Sequence, residues 1–428
     1  MAYPRPRFFA GAVICSRLTE ILLISIRTNT DRREEERGMA MQHCLVVGGG
    51  LGGLSAALAL ASTGHKVTLL EQAQRIEPIG YGIQLGPNVM PIFKQFGVLE
   101  DVYRRSHFPS AIQMVDATTA KRIAEIPLGA AFLKRFHDRY ICIHRGDIHK
   151  ILLEACERAP NIELRKGVTV TGYAQTPDRA VALTEAVGEI EGDILIGADG
   201  INSRMLVQMH PESRVQPIGY VAHRSIASFD KIPDIIRQDQ VVLWAGDGFH
   251  VIYYPLPGYG LNIVAVFSKL KDEVEAQGDL RRAQLLRRCG NAHQEVIAAL
   301  ELMNFESRWD LADRRPMRNW ADGRVVLLGD AVHPTFQSLA QGACMAIEDA
   351  VVLADSLRDN RDDLQNALTG YQSARLVRAA RVQLESRALW MTYHVGGVDA
   401  EVRDQQFESR SAEDFYNCLA WVWTAIKR

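Results

Sequence analysis

Residues 44–71 constrain this chain more than any other stretch. Cys44-Leu45-Val46-Val47 is a short apolar run bounded by glycines, which predicts a buried parallel strand. The alanine- and leucine-rich run 54–62 predicts a helix, and Lys66-Val67-Thr68-Leu69-Leu70-Glu71 predicts a second strand. Gly48, Gly50 and Gly53 stand between strand and helix at G-x-G-x-x-G spacing. The first permits a tight turn, the second lets backbone approach a pyrophosphate, and the third lets helix and strand pack closely. Phosphates held there meet free N–H groups at the positive end of a helix. Glu71 closes the second strand about 20 residues on, where a carboxylate can accept hydrogen bonds from both hydroxyls of an adenosine ribose. A glycine triplet alone also fits a plain turn. Strand, glycines, helix, strand and terminal acid in that order specify a nucleotide site.

With 428 residues the chain has room for two or three domains. Its 49 basic and 51 acidic residues leave a formal charge of −2, so no global field favours nucleic acid or a membrane surface, and neither is expected as a partner. The seven cysteines form no C-x-x-C pair and no metal-ligand spacing. Most lie in apolar runs, as expected of small buried hydrophobes in a reducing, cytoplasmic compartment, and no metal site is expected.

Residues 1–40 do not match the rest. Arg5, Arg7, Arg17 and Arg27 interrupt short apolar pieces, and none reaches the ~18 uncharged residues of a membrane span. Residues 8–15 are short for a signal-peptide core, and no cleavage site follows. An arginine-rich, acid-poor start also fits an organellar presequence. The expectation is a disordered extension or a non-native start. Met39 or Met41 stands just before the first strand, and Glu34-Glu35-Glu36-Arg37-Gly38 is what a translated purine-rich ribosome-binding site encodes.

Further along, Gly80-Tyr81-Gly82-Ile83-Gln84 opens a glycine-rich loop, 89–96 has helical spacing, and 111–133 contains strand-like pieces. Ile148, Ile151, Leu152 and Ala155 fit one face of a helix that follows Arg145. Two more apolar strands end in acids: 193–198 runs into Asp199-Gly200, and 324–328 into Gly329-Asp330. A long helix then begins near Gly342. In open parallel sheets, ligands lie beyond the carboxyl ends of the strands, so Glu71, Asp199 and Asp330 would surround one extended ligand. The simpler reading makes Asp199 and Asp330 N-caps of the segments that follow them.

Gly48-x-Gly50-x-x-Gly53, Asp199-Gly200 and Gly329-Asp330, in this order and spacing, resemble the class A flavoprotein aromatic hydroxylases of the para-hydroxybenzoate hydroxylase fold, over roughly residues 42–428. The resemblance implies an α/β chain. A Rossmann-like FAD-binding domain (41–216 and 315–360) would be interleaved with an antiparallel-sheet substrate domain (217–314) and followed by a helical C-terminal region (361–428). It implies FAD as cofactor, with the pyrophosphate on Gly48, Gly50, Leu51 and Gly53 and the adenosine on Glu71 and Val168. Gln84, Arg145, Asp199, Asp330, Ala340 and Gly342 complete the implied FAD site, Asp330 on the flavin ribitol and Arg145 near ribitol and pyrophosphate. NADH rather than NADPH would be the co-substrate, and the implied assembly is a homodimer. Leu206 departs from the family's D-G-x-x-S-x-x-R pattern, which weakens a nicotinamide role for that loop.

Residues 249–254 read as a strand whose two-residue period puts His250, Ile252 and Tyr254 on one face. On residue type alone, this pair is a satisfied core histidine beside a packed tyrosine. The motifs His250-x-x-x-Tyr254-Pro255-Leu256, Gly82-Ile83-Gln84 and His333-Pro334-x-x-Gln337-x-x-Ala340 resemble the 3-hydroxybenzoate 6-monooxygenase subgroup. Glutamines at 84 and 337 distinguish it from 6-hydroxynicotinate 3-monooxygenases, with histidine and proline there, and salicylate 1-monooxygenases are a third relative. Pro257 departs from the subgroup, which has arginine there.

The subgroup implies NADH-driven hydroxylation of a small aromatic hydroxy acid by dioxygen through a flavin C4a-hydroperoxide, giving gentisate. His250 would be base or acceptor for the 3-hydroxyl, Gln337 would fix the phenol, Tyr254 would orient the ring, and Arg145 or Arg224 would steer the anion. Glu348 and Asp349 are expected as surface or helix-packing charges, and His333 as a backbone-positioning residue. The tail, with Trp390, Trp421 and Trp423, is expected to form core and dimer surface and no ligand wall. Two other classes stay open at this point: a non-catalytic binding protein on a related fold, and a flavin oxidase that never hydroxylates.

Overall fold

The computed structural model describes residues 42–74, 80–270, 277–306 and 308–427. The expectations for residues 1–40 fall outside them. A six-stranded sheet carries the glycine motif. Its order is Ala321–Asp322, Val325–Leu327, Ile194–Gly197, His43–Val47, Lys66–Glu71 and Ile162–Lys166. All neighbours are parallel except the first pair. The central strands are buried along all but their end residues, which is why they read as apolar runs and not as alternating ones. Helix Leu51–Ser62 packs on Gly342–Asp359 and Arg145–Arg158. Gly52 permits the first contact, since a Cβ there would stand 3.1 Å from Ala346 Cβ.

The second sheet runs Trp309–Asp313, Gln216–Ala227, Gly260–Ser268, Phe249–Leu256, Val241–Gly246, Ala111–Asp116, Arg122–Pro127. It corrects the expected antiparallel sheet of 217–314 in two ways. Ala111–Asp116 and Arg122–Pro127 come from far upstream, and Ala111–Asp116 pairs in parallel with Val241–Gly246. The expected alternation holds in 249–254. Phe249, Val251 and Tyr253 enter an apolar cluster with Val296, Ala299 and Leu300, while His250, Ile252 and Tyr254 face a cavity.

The tail forms helices Leu364–Tyr393, Gly397–Glu408 and Ala412–Trp423. Against expectation, Tyr393, Phe407, Phe415 and Trp423 line the same cavity. Of the two expectations for Glu348 and Asp349, helix packing holds and surface exposure does not, since both are fully buried. Arg375 forks to them at 2.7 and 2.6 Å, Arg378 adds a 2.7 Å contact to Glu348, and Asn88 donates to Glu348. Asp349 also meets His333 at 2.6 Å and accepts the Gly329 N–H at 2.9 Å. Burial alone would raise the Asp349 pKa, but the His333 and Arg375 charges outweigh it and hold it down to about 2. The network ties the helix Leu364–Tyr393 to the Gly329-Asp330 turn.

Candidate active site

At the carboxyl ends of the parallel strands the three glycines divide the work by geometry. Gly48 has φ +106°, and a Cβ on it would lie 2.5 Å from the Ala198 carbonyl oxygen. A Cβ on Gly53 would lie 1.8 Å from the Gly48 oxygen, so only glycine lets the helix start this close to the strand. Gly50 instead faces open space, with nothing within 4 Å of a Cβ, and it lines the cavity with Leu51. The helix behind it has no side-chain cap, so its first N–H groups are available to an anion.

Glu71 lies on the other side of this loop. Its Oε2 accepts the Gly49 N–H at 2.6 Å and its Oε1 the Ala73 N–H at 2.8 Å, which fixes the carboxylate with lone pairs to spare. The Val168 N–H donates to the Glu71 carbonyl, which sets Val168 beside it. Asp199 ends the next strand. Its Oδ2 accepts the Arg204 N–H at 2.8 Å, while its Oδ1 is buried without a partner. The formal cap of the following helix is Ser203, and Asp199 Oδ2 adds to it by also taking the Met205 N–H at 3.4 Å, so the simpler capping reading holds for that oxygen. Asp330 is open to the cavity, yet the surrounding protein desolvates it and raises its pKa; His333, and Arg145 on the same cavity wall, partly oppose this. Ala340, in the left-handed region at φ +52°, turns the chain into helix Gly342–Asp359, whose N-terminus also lacks a side-chain cap. Two uncapped helix ends, an open glycine and the unpartnered Asp199 Oδ1 fit FAD, whose phosphates the glycine loop would hold.

The cavity continues from these residues over the second sheet, with a volume of about 1040 Å³. One row across six strands makes its floor: Arg224 opposite Val264, then Ile252, Leu243, Met114 and Ala124. All six line the cavity. His250 and Tyr254 flank Ile252 on its own strand, so the polar groups stand around an apolar floor. Tyr254 is 3 % exposed and packs against Gly82, where a Cβ would come within 2.5 Å of the ring. Burial pushes its phenol well above the usual tyrosine value, so it acts as a neutral donor. Gln84 accepts from Tyr140 at 2.8 Å and touches Tyr254, and it lines the same cavity as Gly50 and Leu51.

Arg224 is one of two sequence candidates for an anion, unranked against Arg145, and its surroundings single it out. Its Nη2 donates to Gln337 Oε1 at 2.9 Å, and among the described residues it has no carboxylate partner. Burial lowers its pKa from the usual arginine value, a cost that an arriving anion would offset. Gln337 Nε2 is left as a buried donor without an acceptor.

His250 is 2 % exposed and its Nδ1 lies 2.8 Å from His394 Nε2. Burial, then the neighbouring His394, keeps the His250 pKa well below the ordinary histidine value, so the ring is neutral at neutral pH. Sequence reasoning did not find His394. It stands 144 residues from its partner and carries no local motif.

Residues 41–386 match the FAD binding domain family. The chain is 35 % identical over 384 residues to a 3-hydroxybenzoate 6-hydroxylase of Klebsiella oxytoca, spanning 90 % of this chain and 96 % of that one. It is 34 % identical over 347 residues to a 6-hydroxynicotinate 3-monooxygenase of Bordetella bronchiseptica, covering 79 % and 88 %. Among solved structures, Klebsiella pneumoniae HpxO complexed with FAD and uric acid superposes with a TM-score of 0.78 at 24 % identity, covering 88 % of this chain and 95 % of that one.

Proposed function

We propose that this chain, which belongs to the FAD-dependent aromatic hydroxylases, hydroxylates 3-hydroxybenzoate para to its hydroxyl group and so forms gentisate. NADH rather than NADPH is the reductant, and dioxygen supplies the inserted atom. The observation that carries this reading is the pairing of Arg224, a guanidinium with no carboxylate partner among the described residues, with a buried neutral histidine, His250, around one apolar floor. A benzoate needs the first, a phenol the second and a benzene ring the third.

Bound FAD supplies the two-electron chemistry and the activation of oxygen. The protein's part is to bind, orient and move one proton. Arg224 takes the carboxylate, with Tyr254 orienting the ring. The O–H bond of the substrate breaks as His250 Nε2 takes its proton, and the phenolate pushes electron density to the ring carbon para to it. Gln337 Nε2 donates to the resulting oxyanion. Phe336, Tyr393, Phe407 and Trp423 on the walls exclude water. The enzyme works as a homodimer in this reading. Val377, Leu384 and Met391, exposed at seven-residue spacing on one helix, give a second copy an apolar stripe.

Ligand-stimulated NADH oxidation with product identification, run on 3-hydroxybenzoate, 6-hydroxynicotinate and salicylate, tests the substrate. Coupled turnover on either of the other two in preference to 3-hydroxybenzoate overturns the assignment. Arg224→Gln should raise KM for 3-hydroxybenzoate roughly 10- to 100-fold, the value of a charge-assisted hydrogen bond, with a smaller effect on kcat. It should also abolish discrimination against the neutral 3-hydroxybenzamide. An unchanged KM would move the carboxylate elsewhere, Arg145 being the next candidate.

A further inference from the structure

Two histidines from distant parts of the chain meet at the cavity edge. His394 Nδ1 lies 2.7 Å from the Trp390 carbonyl oxygen, and its Nε2 lies 2.8 Å from His250 Nδ1. A carbonyl oxygen only accepts, so the His394 proton resides on Nδ1. In the neutral ring Nε2 is then a lone pair. The proton between the two rings must therefore belong to His250 Nδ1. That leaves the His250 lone pair on Nε2, which has no hydrogen-bond partner among the described residues, on a ring that lines the cavity.

We propose that His394 is a positioning residue that locks His250 in its Nδ1–H tautomer and so presents an unprotonated Nε2 to the substrate hydroxyl. The proposal rests on the reading of His250 as the base.

Packing holds the arrangement. Trp390 and Tyr393 meet the His250 ring edge-on at 5.1 and 5.6 Å, and Tyr220 lies 4.6 Å from the His394 ring. The Gly248 N–H donates to the His394 carbonyl at 3.1 Å, which pins residue 394 to the start of the strand that bears His250. Burial lowers the His394 pKa to about 4, so this ring stays neutral at neutral pH and keeps its Nε2 lone pair. When the substrate O–H bond breaks and an N–H bond forms at His250 Nε2, the Nδ1–H···Nε2 contact becomes charge-assisted. His394, neutral throughout, goes on accepting that hydrogen bond without moving a proton itself, and no electrons change hands.

The test uses FAD-loaded enzyme labelled with ¹⁵N-histidine. Two-bond ¹H–¹⁵N spectra at neutral pH, with His250 assigned from its own variant, should report the Nδ1–H form in the wild type. In His394→Phe the tautomer should mix or invert, and product formed per NADH should fall roughly tenfold or more at unchanged flavin content. His394→Gln, whose Oε1 can accept in place of Nε2, should retain both the tautomer and most of the coupling. It also serves as the test if the phenylalanine variant does not fold, since loss of the tautomer in a folded glutamine variant would refute the proposal. An unaltered His250 tautomer in His394→Phe would refute it as well, whatever the activity. Failure of the base reading is distinct: there the spectra behave as expected while His250→Ala remains coupled.

Discussion

Replacing His250 with alanine is expected to separate NADH consumption from product formation. Hydride transfer requires a bound substrate and a correctly seated flavin, and Arg224, Tyr254 and the apolar floor remain to provide both. Oxygen transfer requires the electron density of a phenolate, and a positioned general base contributes ~10²–10⁴-fold to reaching it. The variant should therefore oxidise NADH when 3-hydroxybenzoate is added, and release hydrogen peroxide in place of gentisate. Raising the pH should partly restore product, because bulk solution then deprotonates some of the phenol. The wild-type histidine is buried and its pKa lowered, so its lone pair is present throughout the neutral range and its own activity should not show that rescue. Product and peroxide, each measured per NADH, decide the matter. Tight coupling in the variant at neutral pH would make His250 a packing residue.

Glu71→Ala should purify almost free of flavin. The carboxylate is already oriented by the Gly49 and Ala73 N–H groups, so it offers its remaining lone pairs to two ribose hydroxyls without reorganising. Charge-assisted bonds of this kind are worth roughly 1.5–3 kcal/mol each, so losing two weakens FAD by at least about 100-fold. The Gly49 N–H is freed at the same time, which loosens the loop that carries Gly50. Flavin absorbance per mole of protein, and the FAD concentration needed to raise the unfolding temperature, read out the effect. Full flavin occupancy in the purified variant would remove Glu71 from the ribose.

The parts of this molecule legible in its sequence are those governed by local rules. Gly48, Gly50 and Gly53 announce a turn whose geometry leaves no room for a side chain at the outer two, and the strand-terminal acids Asp199 and Asp330 follow from apolar runs ending where a parallel sheet must end. The two faces of 249–254 follow from a period of two. What stayed hidden depends on contacts between distant segments. Nothing in Ala111–Asp116 states that it will lie parallel to Val241–Gly246, because either strand would satisfy its backbone equally well beside another edge. Glu348 and Asp349 look like any acidic pair on a helix until Arg375 and Arg378 are brought opposite them. His394 becomes informative only once Trp390 O fixes which of its nitrogens carries hydrogen.

The cavity wall also sets a timetable for the chain on the ribosome. The glycine loop is made early, but the sheet that shapes it waits for Val325–Leu327, and the wall is closed only by Ala412–Trp423. That last helix is held by Arg378, which donates to the Val422 carbonyl at 3.0 Å, and by Tyr416, which donates to Pro127 O at 2.6 Å on the sheet edge. A nascent chain that captured flavin would hold it in an open, wet cleft. Reduction there would deliver electrons to oxygen with no substrate enclosed, so a dry reaction chamber depends on this helix being in place.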